Sequence, residues 1–287
     1  MNHQKSNLAP GLYLVGVPIG TARDITLRAL DVLASADVLA AEDTRSLRRL
    51  MEIHGVPLDG RRITALHDHS GDGAQAKLVA QIAQGKSVAY ASEAGMPLIA
   101  DPGFELARLA GREGHLVTCA PGPSAVLTAL ALGGLPTDAF FFAGFLPNAK
   151  TARRTAMEKL TEVPGTLVFY ESPKRLGAML RDAAEVFGAD RQAAMCRELT
   201  KKFEEVRRDD LATLAARYAE ITPKGEVVVL IDRGRSAPVK EDDITSALQN
   251  ALQDLSMRDA VDLVARAHDL PRRKVYQAAL TLGKDAE

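Results

Sequence analysis

The chain has no tryptophan, two cysteines and almost no net charge, and each shortage narrows what it can be. Without Trp, the base-stacking aromatics of RNA-binding sheets are not apparent. Cys119 and Cys196 stand far apart in apolar, strand-like runs. They read as two buried small hydrophobes rather than a disulfide or a metal pair, and nothing has zinc-ligand spacing. With 36 basic and 37 acidic residues the net charge is -1, which argues against coating nucleic acid by bulk charge but leaves a local basic face open. No run is long enough to span a membrane, and residues 1–10 are polar, without the apolar core of a signal peptide. A cytoplasmic protein with no membrane partner is therefore expected. Two phosphate-binding signatures are missing as well. In Gly16-Val17-Pro18-Ile19-Gly20 the glycine spacing is wrong for a dinucleotide fingerprint, Pro occupies the turn, and no Gly-Lys-Ser/Thr follows.

What is present is a regular alternation of short apolar runs and amphipathic stretches over 287 residues, enough for two domains. Runs ending at Val15, Ala41, Ala91 and Ala120 read as buried strands, and helices are expected over residues 27–34 (capped by Thr26), 46–54, 75–84, 104–113 and 124–133. Past the punctuation at Gly133-Gly134-Leu135-Pro136, strands are expected over 140–145, 166–170, 192–197 and 226–231, with helices over 151–160, 173–187 and 209–221. Such alternation implies βαβ units and a mostly parallel sheet. The expected layout is a tail over 1–10, α/β domains over 11–135 and 136–235, a linker at Ser236-Ala237-Pro238, and a helical module over 240–287.

Three strand ends run into loops built for close backbone approach. They are Val17-Pro18-Ile19-Gly20, the stretch 92–103 (Ser-Glu-Ala-Gly-Met-Pro-Leu-Ile-Ala-Asp-Pro-Gly), and Pro121-Gly122-Pro123-Ser124-Ala125. Open α/β sheets bind ligands at such carboxyl edges, so one ligand cleft is expected there. Glu93 and Asp101 could accept hydrogen bonds from a ribose or an amino group, or cap local turns. Glu42-Asp43-Thr44-Arg45 ends another strand, where Arg45 could hold Asp43 or a phosphate. Glu171, Lys174 and Arg175 follow a strand of the second half, and cations beside a helix N-terminus favour an anionic partner. His67, Asp68 and His69 form a polar cluster without a third ligand at metal spacing, so no metal is expected.

These motifs, in this order over roughly residues 10–235, resemble the small-subunit rRNA (cytidine-2′-O)-methyltransferases. To them belong also Asp24-Ile25-Thr26-Leu27-Arg28, Gly133 to Asp138, Tyr170-Glu171-Ser172-Pro173 and Arg197-Glu198-Leu199-Thr200-Lys201. Thr21, Glu93, Met96 and Lys174 depart from the family's usual Asn, Asp, Thr and His. The resemblance implies two α/β domains of tetrapyrrole-methylase type with a cofactor cleft between them, a small C-terminal helical module, and a homodimer. It implies S-adenosylmethionine as cofactor and 16S rRNA in the small ribosomal subunit as partner. On that basis Pro18, Ile19, Gly20, Ser92, Glu93, Ala94, Gly95, Met96, Pro123, Ser124 and Ala125 are expected to hold the cofactor's methionine and ribose, with Cys196 and Leu199 over the adenine. Glu171, Asp43 and Lys174 are the catalytic candidates. Arg45, Arg153, Arg154, Arg175, Lys201 and Lys202 are expected to contact RNA phosphates, as part of a positive face near the cleft that also takes in Lys150, Arg207, Arg208, Arg272, Arg273 and Lys274. Rival readings are a tetrapyrrole methyltransferase and a non-catalytic ribosome-binding relative.

Overall fold

The computed structural model describes residues 3–67, 72–234, 241–267 and 271–284, which divide into a unit Met1–Arg233 and a unit Gly234–Glu287. Asp68, His69 and the linker at 236–238 lie outside the described residues.

The first sheet is built from β1 (Gly11–Val15), β2 (Val38–Ala41), β3 (Ile63–Ala65), β4 (Ser87–Ala91) and β5 (Val117–Ala120), in the order β3-β2-β4-β1-β5, every pair parallel. Parallel strands need long crossovers. Here these carry α1 (Leu27–Ser35), α2 (Thr44–Ile53), α3 (Asp72–Ala83) and α4 (Phe104–Arg112). The helices start where capping chemistry places them. The Thr26 hydroxyl accepts from the Ala29 amide at 3.1 Å, and the Asp43 carboxylate accepts from the Arg45 amide at 2.7 Å. That cap starts α2 at Thr44, two residues before the expected Ser46. Leu30, Leu33, Leu47 and Met51 pack on one face of the sheet, and Leu78, Ile82 and Leu106 on the other. With both faces covered, the strands read as continuous apolar runs.

The helix α5 (Ala125–Gly133) follows β5 in sequence but lays Val126, Ala129 and Leu130 on the second sheet, against Val168, Ala194, Val228 and Leu230. Gly133 permits that approach, because a Cβ there would lie 2.2 Å from the Leu230 side chain. The second sheet consists of β6 (Phe140–Phe145), β7 (Thr166–Glu171), β8 (Gln192–Arg197), β9 (Glu205–Asp210) and β10 (Val227–Ile231), with α6 (Lys150–Glu158), α7 (Leu176–Phe187) and α8 (Leu211–Arg217) on its other face. Its order is β6-β7-β10-β8-β9, and β6–β7 is its only parallel pair. The expected mostly parallel sheet therefore holds for the first half alone. The cause is β9, a charged edge strand (Glu-Val-Arg-Arg-Asp-Asp) with no apolar alternation to announce it. The connection from β8 is too short for a crossover, so β9 returns antiparallel, and β10 then inserts antiparallel between β7 and β8. The same strand occupies the start of the helix expected over 209–221, and Asp210 caps α8 through the Thr213 amide at 2.7 Å.

The second unit is three helices, α9 (Glu241–Asp254), α10 (Met257–Ala267) and α11 (Arg272–Lys284), around Ile244, Leu248, Val261, Val264, Val275 and Ala279. Among the described residues no helix is long and apolar enough to cross a membrane.

Candidate active site

All five strands of the first sheet run the same way, so their carboxyl ends deliver four loops to one edge. The first two are fastened together: the Val17 amide donates to the Gly95 carbonyl at 2.9 Å, and the Gly95 amide to the Val17 carbonyl at 3.1 Å. The first and third touch backbone to backbone. A Cβ on Gly16 would lie 2.6 Å from the Gly122 nitrogen, so only glycine permits this packing. Glu42, at the end of β2, takes the Glu93 amide on its carboxylate at 3.0 Å. Met96 accepts the Gly122 amide on its sulfur at 3.2 Å, so the residue that stands where the resembled family has Thr ties the second loop to the third. Leu98 and Ala100 sit at φ 73° and 60°, left-handed backbone that costs energy in residues with a side chain. Glu198 and Thr200 share this conformation at φ 51° and 62°, so strained backbone lies both in the 92–103 loop and in the loop that meets Gly20.

Two cavities share these loops. The first, of about 370 Å³, is bounded by Ile19, Ala94, Gly95, Met96, Ile99, Ala100, Asp101, Ser124 and Ala125 of the first half, and by Phe145, Tyr170, Glu171, Ser172, Pro173 and Gly225 to Val228 of the second. That volume lies within the roughly 300–1,000 Å³ usual for small-molecule sites. Tyr170 is held by edge-on contacts with Phe142 and Phe145, at 4.9 and 5.5 Å between ring centroids. Burial, with Asp101 and Glu226 nearby, pushes its hydroxyl up to about 12, so it stays protonated at neutral pH. Glu171 is buried (3 % exposed), and burial raises its carboxyl above the ordinary range. Its Oε1 accepts from the Ser172 amide at 2.7 Å and lies 3.2 Å from Arg175 Nε, whereas Oε2 is buried with no hydrogen-bond partner among the described residues. A buried carboxylate oxygen left in this state is a vacant acceptor beside a cavity.

The second cavity, of about 500 Å³, lies between the same two loops and α2. Its lining includes Val17, Pro18, Gly20, Ser92 and Glu93 from the loops and Asp43, Arg45, Ser46, Arg49 and Ile53 from α2. Asp43 Oδ1 caps the helix, while Oδ2 is only loosely engaged, 3.5 Å from the Arg45 guanidinium. The amide and guanidinium of Arg45 hold the Asp43 carboxyl below its usual value.

The sequence-expected residues thus divide. Ile19, Ala94, Gly95, Met96, Ser124, Ala125 and Glu171 line the first cavity; Pro18, Gly20, Ser92, Glu93, Asp43 and Arg45 line the second. Pro123 lines neither, but its carbonyl lies 3.6 Å from where a Gly95 Cβ would be. Ser92 turns its hydroxyl to the Ala94 carbonyl at 3.2 Å. Cys196 and Leu199, expected over an adenine, are core instead: both pack with Ile19 and Val126, and burial pushes the Cys196 thiol up to about 11. The second half's share of the cavity comes from Phe145, the strand end from Tyr170 to Pro173, and Gly225 to Val228 at the start of β10. Nothing in a plain Val-Val-Val-Leu-Ile strand singles that start out, although an aromatic at a strand end was a usable signal. Lys174 is exposed and lines neither cavity.

The expected phosphate contacts fare worse. Arg153 is buried, bonded to Asp182 at 2.7 Å and to the Asn148 carbonyl at 3.0 Å. Arg154 pairs with Glu185, and Arg175 with Glu171 and the Leu146 carbonyl at 2.6 Å. Lys201 bridges Glu198 and Glu226 at 3.1 and 2.8 Å, beside Gly20, and so joins the second sheet's loop to the first sheet's edge. Lys202 lies over the exposed Phe203 ring.

Two lobes, a parallel sheet and a mixed one, with a cavity at the strand ends between them, define the class: this is a tetrapyrrole-methylase fold. Residues 11–215 match the Tetrapyrrole (Corrin/Porphyrin) Methylases pattern, and residues 238–283 match the RsmI C-terminal HTH domain. Among solved structures, uroporphyrin-III-C-methyltransferase from Thermus thermophilus aligns over 78% of this chain and 94% of its own (TM-score 0.53, 24% identity). A diphthine synthase aligns over 77% and 89% (TM-score 0.59, 16% identity). Curated relatives include the ribosomal RNA small subunit methyltransferase I of Mesorhizobium japonicum, 45% identical over 96% of this chain and 93% of that protein. That of Vibrio cholerae is 40% identical over 97% of each. The chain belongs to the ribosomal RNA small subunit methyltransferase I family of tetrapyrrole-type methylases.

Proposed function

We propose that the protein transfers a methyl group from S-adenosylmethionine to the 2′-hydroxyl of a cytidine in small-subunit ribosomal RNA, as a cytoplasmic homodimer. The observation that carries this is the first cavity: apolar walls, strained loops, and a buried Glu171 oxygen without a partner. A cationic cofactor with amino and hydroxyl donors suits that lining, which combines aliphatic and aromatic surface with the carboxylates of Asp101, Glu171 and Glu226. When bound, the cofactor supplies the electrophilic methyl group.

The chain's own residues do the rest. Ile19, Met96, Phe145 and Tyr170 wall out water. Glu171 Oε2 accepts a hydrogen bond from a cofactor donor, the role of an orienting acceptor rather than a base. The acceptor oxygen must come in line with the breaking bond at roughly 3–3.5 Å, and its proton must leave. Asp43 Oδ2, loosely engaged and in the cavity on α2's side of the shared loops, supports the reading of Asp43 as the acceptor of that proton. Exposed Phe140, Phe141 and Phe145 on the edge strand β6 support self-association, since a bare apolar edge invites pairing.

Incubation with methyl-labelled S-adenosylmethionine and unmethylated small subunits, followed by nucleoside mass spectrometry, should yield labelled 2′-O-methylcytidine. Labelled tetrapyrrole but unlabelled RNA would overturn the reading. Asp43→Asn is a clean probe of the base, because Asn caps helices as well as Asp does. It should fold normally and lose at least about tenfold in kcat, with cofactor affinity kept. Because the Asp43 carboxyl is held low, the wild-type rate should show no acid limb above about pH 5. Undiminished kcat in Asp43→Asn together with its loss in Lys174→Met would place the proton on Lys174 instead.

A further inference from the structure

The exposed face of α2 carries three arginines. Arg45 and Arg49 have side chains 92% and 75% exposed, and Arg48 is exposed as well. Their partners are weak: Arg45 meets Asp43 at 3.5 Å, Arg49 meets Glu52 at 4.0 Å, and Arg48 makes no ion pair among the described residues. In the second half, by contrast, Arg153, Arg154, Arg175, Arg197, Lys201 and Arg207 are all paired with carboxylates. Beside the second cavity, α2 thus presents three exposed arginines in one patch, at most weakly compensated. That cavity is of ligand size and shares the 17–20 and 92–95 loops with the first. Ile53, 51% exposed at the rim, adds an apolar surface.

We infer that the second cavity receives a single-stranded RNA segment, with its phosphates on Arg45, Arg48 and Arg49 and the reacting nucleotide against Asp43 and the shared loops. This rests on the proposed function and locates its macromolecular substrate. Guanidinium groups suit phosphate because their donors form a fork that matches two of its oxygens. A single strand is required because a base held in duplex cannot enter a cavity between a helix and two loops. The 17–20 and 92–96 loops, joined by the Val17–Gly95 bridge, border both cavities, so the acceptor and the methyl donor would meet along this common border.

The test is a salt titration of binding to a single-stranded oligonucleotide with the small-subunit sequence around the methylated cytidine, read by fluorescence anisotropy. The triple variant Arg45→Gln, Arg48→Gln, Arg49→Gln keeps good helix formers, and thermal unfolding checks its fold. Three lost phosphate contacts should flatten the slope of log K against log salt by about 2. Cofactor affinity by calorimetry should be unchanged, and KM for RNA should rise with little change in kcat. The triple Lys variant keeps the charge and should keep most of the slope. A control variant at two paired cations, Arg154→Gln with Arg207→Gln, should bind as wild type does. An unchanged slope in the Gln triple, or an equal loss in the control, overturns the placement. Wild-type protein that neither binds nor methylates the RNA overturns the proposed function itself, a distinguishable result.

Discussion

The second lobe's arginines and those of α2 in the first lobe are used in opposite ways. In the second lobe arginine is an architectural residue. Arg153 is sealed between α6 and α7 against Asp182, Arg197 and Arg207 both meet Glu205, and Arg191 reaches the Asp232 carbonyl at 2.7 Å. In the first lobe, Arg45, Arg48 and Arg49 are held out from α2 with almost nothing to neutralise them. Residue type alone does not separate the two uses; the carboxylates that the fold brings alongside do. In this molecule the paired cations hold elements together, and the unpaired ones are available to a polyanion.

The comparison breaks most visibly at Arg153. Arg153→Met leaves the buried Asp182 carboxylate without its partner, and breaking a buried pair from one side costs about 3–5 kcal/mol. Denaturant unfolding should show that loss, and adding Asp182→Leu should recover much of it, because a well-packed apolar pair tolerates the site. Unchanged stability together with weaker RNA binding would return Arg153 to the phosphate contacts.

Glu171 gives the next effect, and a different kind. Glu171→Gln keeps the size of the side chain and one acceptor but removes a charge-assisted hydrogen bond, worth about 1.5–3 kcal/mol, so S-adenosylmethionine affinity should fall roughly 10- to 100-fold. Stability should move the other way at pH 7. The folded carboxyl is raised above the ordinary value of 4.5, so the stability linked to it is complete below that pH and is lost as pH rises through the raised value. At neutral pH the buried charge weighs against the fold, and Gln removes it. Equal or higher thermal stability with weaker cofactor binding supports a ligand role. A drop in both would make Glu171 a structural partner of Arg175.

Much of the first lobe was legible from the sequence, because its signals are local. Thr26 and Ser124 cap helices beside apolar runs, and the turns at Gly16–Gly20 and 92–103 lie at strand ends, whereas the Asp43 cap of α2 went unread. The second lobe was less legible. β9 has no period-2 apolar pattern, and missing it made the sheet look parallel. Within the site, Glu171 stood out because it ends a strand beside Ser-Pro, whereas Gly225 to Val228 reach the cavity only through the insertion of β10 between β7 and β8, a long-range pairing with no local mark. The pairing of Arg153, Arg154, Arg175 and Lys201, among the expected phosphate contacts, was illegible for the same reason. Whether an arginine is free depends on Asp182, Glu185 or Glu205 arriving from elsewhere in the chain.

The smallest effect tests the boundary between the two classes of cation. Arg154 neighbours Arg153 on α6 but remains 34% exposed, paired with a half-exposed Glu185. Exposed pairs contribute about 0–1 kcal/mol, since water screens them and two long side chains must be ordered. Arg154→Gln should therefore shift the unfolding midpoint barely beyond error, one residue away from a substitution that should cost several kcal/mol. Added salt should narrow even that difference, because screening weakens an exposed pair and leaves a buried one nearly untouched. A loss comparable to that of Arg153→Met, persisting at high salt, would mean that the second lobe depends on its surface charge network as a whole, and that the distinction between structural and available cations follows pairing rather than burial.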